Sequence, residues 1–211
     1  MLITHQEIKV AFPQATDSII QEFVDVFNEY HELFNFDKEV HGDFFLAQLA
    51  EEVGPTGVPK RENLNYSCDA LKKIFSYYRD RPQEAKQDGR CNGHPANQVN
   101  IGNKAYGGRL GNDKTGDGYR YRGGGYIQLT GEANYNRAAE IISEKAGREF
   151  QPDDVEEAIN TVKGALISAM AFWYDNDLYK CTTIDCVTEK VNKYTDSYDD
   201  RREHYQKVAK I

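Results

Sequence analysis

Residues 116–131 read GDGYRYRGGGYIQLTG. Tyr119 and Tyr121 alternate with Arg120 and Arg122, three glycines follow, and Tyr126-Ile127-Gln128-Leu129 closes the run. Aromatic and β-branched residues on either side of a glycine reversal predict a short β-hairpin. No other segment of the 211 residues gives a convincing β signal. The chain is therefore expected to be mainly α, with this ribbon as its small β element.

On the N-terminal side, Thr4-His5-Gln6-Glu7 has the form of a capping box and starts a short helix that Pro13 ends. In DSIIQEFVDVFNEYHELF, the residues Ile20, Phe23, Val24, Phe27, Tyr30 and Phe34 recur every three or four positions. That spacing predicts an amphipathic helix, with Asp17 as its cap. A third helix runs over about 37–53, and Gly54-Pro55 stops it. DALKKIFSYYRD reads as another helix. RPQEAKQDGRCNGHPANQ reads as a polar insertion over about 79–98, either an exposed loop or a short helix with a loop. IGNKAYGGRLGN, with its separated glycines, predicts a bent segment lining something. Beyond the ribbon, Thr130 or Gly131 begins a helix, Pro152 opens a longer one reaching 176, and two more cover about 183–195 and 199–210. No repeat or low-complexity tract interrupts this order, so residues 1–211 are expected to form a single domain without a separate binding module.

The bulk properties exclude several classes. A net charge of -8 argues against a nucleic-acid partner, which needs a basic footprint. There is no run of 18 apolar residues to insert in a membrane. The start, MLITHQEIKVAFPQ, lacks the basic and apolar regions of a secretory signal. Cys68, Cys91, Cys181 and Cys186 form no CxxC pair, so neither a metal site nor a cofactor is expected. Four reduced thiols are the expectation without an export signal, two disulfides the alternative in an oxidising compartment.

The stretch AQLAEEVGPTG, residues 47–57, places Glu51 and Glu52 side by side at a helix end. Stepping about 100° per residue puts Phe45, Leu46, Leu49, Ala50 and Val53 on one arc. Glu51 projects roughly 170° from the middle of that arc and faces water; Glu52 lies roughly 90° away, on the apolar–polar border. Of the two, Glu52 is the carboxylate able to be partly buried and still reach a cleft. A helix C-terminus prefers cations, so two acids there run against local stability. Surface decoration is the bland reading; departures from local rules are enriched at functional sites.

GDGYRYRGGGYIQLTGEANY, residues 116–135, resembles the signature of glycoside hydrolase family 19, the lysozyme-like endolysins and chitinases. FFLAQLAEE, RENLNYS, AYGGRLGN, AFWY and DDRREHY follow the order that this family shows, so the resemblance covers about residues 40–205. It implies an α+β lysozyme-like fold: a helical bundle of two lobes with the small β-hairpin beside an active-site cleft. It implies Glu52 as general acid, Glu62 as general base and Thr130 as a residue holding the attacking water. Tyr66, Ser67, Tyr121, Tyr126, Gln128, Asn134, Tyr135 and Asn192 fall at substrate-binding positions. Family members invert, which sets the two carboxyl groups roughly 6.5–9.5 Å apart with a water between them.

The resemblance also implies the partners: peptidoglycan glycan strands, or chitin oligomers, met by a monomer. A phage endolysin is the expected setting. It would be made in the cytoplasm of a bacterial host and act on the wall in the periplasm, leaving through a holin or by dedicated secretion. Each assignment has a plainer competitor. Glu62 reads equally as a solvated loop acid, Thr130 as an N-cap, and the tyrosines as packing at the base of the ribbon. The chain departs from the family pattern at Glu51, where His is usual, and at Val53, where Ser or Thr is usual. It departs again at Gly124, usually Arg, and at Asn192-Lys193-Tyr194, usually Asn-Gly-Gly.

Overall fold

The computed structural model describes residues 2–91 and 93–211. It is mainly helical, as expected. In chain order the elements are α1 (His5–Ala11), α2 (Asp17–Tyr30), α3 (Glu39–Val53), β1 (Lys60–Arg61), α4 (Cys68–Ile74), α5 (Pro82–Asp88) and α6 (Gln98–Tyr106). Then come α7 (Asp117–Arg120), β2 (Gly124–Gly125), α8 (Glu132–Ala146), α9 (Pro152–Ala158), α10 (Val162–Asp175), α11 (Ile184–Asn192) and α12 (Tyr198–Val208).

The buried side chains fall into two clusters, which are the two lobes. The larger gathers α1–α3 and α8–α12 around an aromatic centre in which Phe36 stacks on Trp173 at 4.6 Å and meets Phe45 at 5.0 Å. The smaller is built on Leu71, Ala85 and Ile101 from α4, α5 and α6, with Leu64 before α4 and Tyr78 after it. Residues 79–98 belong to that second core: Ala85 is fully buried, and the Asp88 carboxylate accepts from Tyr78 Oη, Asn100 Nδ2 and Lys104 Nζ at 2.9, 3.1 and 2.7 Å. β1 is the thread between the lobes.

Helix α3 is the axis of the large lobe. The arc predicted for its core face is buried, but so is every residue from His41 to Ala50. A helix covered all round needs no amphipathic stripe. α12 lies against the side that helical phase assigns to water, where Tyr205 meets Phe44 at 5.0 Å. Glu51 is accordingly not solvated as expected; its side chain is 27% exposed and sits 3.5 Å from His204.

Several boundaries move for local reasons. Thr16, not Asp17, caps α2 by accepting from Ile19 N, and Asp17 becomes the first helical residue. An extended Phe75 ends α4 and leaves Ser76–Tyr78 as a separate 3-10 turn. The long helix expected from Pro152 is two: Thr161 adopts an extended conformation and caps α10. The two approach so closely that a β-carbon on Gly164 would lie 2.2 Å from the Ala158 carbonyl oxygen. The glycine-spaced segment after Gln98 is helical through Tyr106 and bends only beyond it.

The hairpin is the largest correction. Tyr119 and Arg120 belong to α7, a single helical turn, since four alternating residues fix a period poorly. The chain does reverse at 125–128, where Gly124 and Leu129 exchange both backbone hydrogen bonds at 3.1 and 2.8 Å. The strand partner of Gly124–Gly125 is nevertheless Lys60–Arg61, antiparallel, with Arg61 opposite Gly124. The β element is therefore long-range, and it brings the segment carrying Glu62 to the glycine run. The expected reduced thiols are likewise replaced by two disulfides, Cys68–Cys91 and Cys181–Cys186.

Candidate active site

Glu52 stands in the last turn of α3. Arg201 of α12, 2% exposed, donates from Nη2 to Glu52 Oε1 at 2.7 Å and from Nη1 to Gln48 Oε1 at 2.5 Å. Its Nε donates to Ser197 Oγ at 3.1 Å, and Gln48 Nε2 donates to Thr188 Oγ1 at 2.9 Å. One guanidinium thus joins three supports, and its positive charge offsets the disadvantage of an acid at a helix C-terminus. Oε1 of Glu52 is occupied by this contact, whereas Oε2 takes no protein donor among the described residues.

Glu62 follows β1. Its backbone N donates to Gly123 O at 2.8 Å, and its carbonyl accepts from Arg122 Nε at 3.2 Å. The side chain accepts from Tyr106 Oη at 2.8 Å and from Gly123 N at 3.3 Å. Burial raises the Tyr106 phenol, with the bond to Glu62 acting the same way, so Tyr106 is a firm donor. Tyr66 also faces this carboxylate; burial first, then the charge of Glu62, raises its phenol.

Gly123 is the meeting point. A β-carbon there would lie 2.9 Å from Gln128 Oε1 and 3.4 Å from both Glu62 Cβ and Thr130 Oγ1. Glu62, Gln128 and Thr130 are therefore brought together around Gly123. The Thr130 hydroxyl donates to Gln128 O at 2.8 Å, and the Thr130 carbonyl accepts from Asn134 Nδ2 at 2.7 Å. Thr130 is not the cap of α8; Gly131 holds that position with no side-chain bond. The neighbouring Ile127 shares a small void with Gln48 of α3 and Val191 of α11. Asn192 is exposed at the end of α11.

Other candidates turn inward. Tyr121, Tyr126 and Tyr135 are buried. Tyr126 Oη donates to Gly57 O at 2.9 Å, Tyr121 bonds Asp153, and Tyr135 Oη accepts from Arg61 Nη1 at 3.1 Å. They hold the ribbon from below and cannot stack on a sugar. Ser67 caps α4, its Oγ accepting from Ala70 N at 3.2 Å.

Sequence reasoning missed Arg201, Tyr106 and Arg61. Arg201 had a signal: with Tyr205 and Val208 it repeats at four and three residues, on the face that α12 turns to α3. Arg61 explains Gly124, where a β-carbon would lie 3.0 Å from Arg61 Nη1 and 2.9 Å from Tyr135 Oη. The guanidinium of Arg61 occupies that space, paired with Glu156 at 2.5 Å. Likewise His204 supplies an imidazole beside Glu51.

A cavity of about 450 Å³ between Tyr30–Phe34 and the ends of α8–α10 contains none of these residues. Another, of about 230 Å³, is lined by Gln128, Thr130 and Asn134. Among the described residues no three His, Cys, Asp or Glu side chains are placed to hold a metal ion, and no helix is long and apolar enough to cross a membrane.

Two carboxylates, one on a helix end and one beside a short ribbon, each fixed by dedicated donors, define the class of site that the fold builds. No protein-family model matches the chain. It is similar to a glycosyl hydrolase family 19 domain-containing protein of Haemophilus influenzae, with 29% identity over 208 residues, 98% of this chain and 95% of that protein. The similarity runs through both lobes and supports a relationship to family 19.

Proposed function

We propose that the chain is a glycoside hydrolase that cleaves the β-1,4 glycan backbone of peptidoglycan, a muramidase-type endolysin whose action lyses bacteria. The observation that carries the reading is the pair of differently anchored carboxylates, Glu52 on Arg201 and Glu62 on Tyr106, with Thr130 and Gln128 gathered beside Glu62. The similarity to a family 19 domain over nearly the whole chain supports hydrolysis of a glycan.

In this mechanism Glu52 gives the proton on Oε2 to the leaving glycosidic oxygen. The carboxylate formed is met at Oε1 by Arg201, which stabilises charge as it develops. Glu62 takes a proton from a water, and Thr130 Oγ1, its own hydrogen engaged by Gln128 O, accepts the water's other hydrogen. Attack from the face opposite the leaving group inverts the anomeric centre. Release from the bacterial cytoplasm through a holin, and action as a monomer in the periplasm, complete the proposal.

The test is incubation with purified peptidoglycan and with chitin oligomers, followed by mass spectrometry of the products and NMR of the new anomer. Muropeptides that disappear in both Glu52→Gln and Glu62→Gln are the expected result. Cleavage of chitin alone makes the chain a chitinase. Tight binding with no product from either polymer makes it a glycan-binding protein and ends the enzymatic reading.

A further inference from the structure

Beyond Gln128 and Thr130 the surface opens into the cavity of about 230 Å³. Its lining includes apolar Ile127, Ala138, Ile141 and Phe172 together with Arg137 and Asp175. Two independent observations distinguish it from a packing gap.

The first is backbone strain. Leu110 and Gln128, both in the lining, hold φ at +54° and +52°. A bulky L-residue avoids that region, and such conformations gather at ligand sites where the surroundings enforce them. Leu110 is enforced by Gly131, on which a β-carbon would lie 2.4 Å from Leu110 Cβ, and by Ala133 N, which donates to Leu110 O at 2.9 Å. Despite this, Leu110 is 48% exposed. The fold spends strain to keep an apolar side chain on the rim.

The second is charge. Arg137 Nε and Nη2 both donate to Asp175 Oδ1, at 2.9 and 2.7 Å, which leaves Oδ2 without a protein donor among the described residues. Both side chains reach solvent. Arg137 Nη1 also donates to Glu140 Oε2 at 3.1 Å, so the cavity beside Thr130 combines polar, apolar and charged groups, its cation held between two anions. An unsubstituted sugar polymer has no charges to meet them. A short peptide linked to a sugar carries apolar atoms, carboxylates and an amine.

We propose that this cavity is a substrate subsite for a short peptide carried on the sugar ring, so that the enzyme favours peptide-bearing glycan over bare glycan. The proposal rests on the peptidoglycan reading above. It is tested with two substrates, intact peptidoglycan and the same polymer stripped of peptides by an amidase. Arg137→Ala and Asp175→Asn are expected to raise KM about 5–10-fold on the first and less than about 2-fold on the second, with kcat kept. The exchange variant Arg137→Asp with Asp175→Arg keeps an ion pair between α8 and α10, though not the bond from residue 137 to Glu140, yet should not restore KM. Equal effects on both substrates, no effect on either, or recovery in the exchange variant overturns the subsite. Should the wild type cut neither polymer, the hydrolase reading fails by itself, and calorimetric titration with N-acetylmuramyl dipeptide decides the subsite. Binding weakened by Arg137→Ala supports it; absent or unchanged binding overturns it.

Discussion

Glu52 and Glu62 are ten positions apart and are held in opposite ways. Glu52 rides on a fifteen-residue helix and is gripped by a buried guanidinium. Glu62 follows a two-residue strand and is held by a phenol and a backbone N–H, both neutral. The charged grip is tied into the core of the large lobe, so its loss is a folding event as well as, under the proposed mechanism, a catalytic one. The neutral grip sits where the two lobes meet and can be loosened with little cost to either core.

The heaviest blow to this contrast falls on Arg201. Arg201→Met removes the partner of Glu52, Gln48 and Ser197 at once. Breaking a buried pair from one side costs about 3 kcal/mol, reduced somewhat here because Glu52 is 20% exposed. Urea unfolding should show that loss, and hydrolysis by the folded fraction should fall about 100-fold. A variant as stable as the wild type would mean that the guanidinium is not holding the two helices together.

The same helix supplies a control for what a carboxylate does there without a cation. Asp43 is 8% exposed, and burial, reinforced by Glu7 and Glu39, raises its pKa from 3.8 to about 6. The folded state therefore favours the protonated form. Its contribution to stability is full below the unfolded value near 3.8 and is lost as pH rises through about 6. Asp43→Asn should be more stable than the wild type by about 2 kcal/mol at pH 7, and the advantage should vanish below about pH 4. Melting temperatures measured across that window check it; an advantage independent of pH would trace to something other than charge.

A smaller effect is expected at the ribbon. Gly124→Ala pushes a methyl group against Tyr135 Oη and Arg61 Nη1. Overpacking of this kind costs about 1–3 kcal/mol, and displacement of Arg61 should carry β1 and Glu62 with it. Activity should therefore fall more than thermal stability, measured side by side.

Local rules and distant partners divide what the sequence reveals. The caps at Thr4 and Gly54 and the buried arc of α3 follow from helical phase and turn chemistry, which act within a few residues. The reading of Glu51 as solvated failed because α12, some 150 positions on, covers that side. The hairpin was read too long: locally Gly124 bridges only Leu129, and its strand partner is Arg61, more than sixty positions earlier. Gly124 and Glu51 look like missing functional groups in a linear comparison, yet Arg61 and His204 bring a guanidinium and an imidazole to those places from other segments. Tyr121, Tyr126 and Tyr135 share the motif's spacing with Gln128 and Thr130, and only the packing of α8 and α9 separates structural aromatics from groups at the site.

The finest test of the comparison is Tyr106→Phe. The ring keeps its place in the small lobe, edge-on to Phe75 at 6.0 Å, so the core is unchanged. What disappears is the hydroxyl donating to Glu62 Oε1. One such bond contributes about 1 kcal/mol to stability. The effect on rate should be larger in proportion, about 10-fold in kcat, because Gly123 N alone, at 3.3 Å, cannot fix the direction in which Glu62 presents its lone pair to water. The KM should stay put, since the ring still fills its space. If instead kcat holds and KM rises, Tyr106 meets the sugar rather than positioning the base. The neutral grip on Glu62 would then be the backbone's alone.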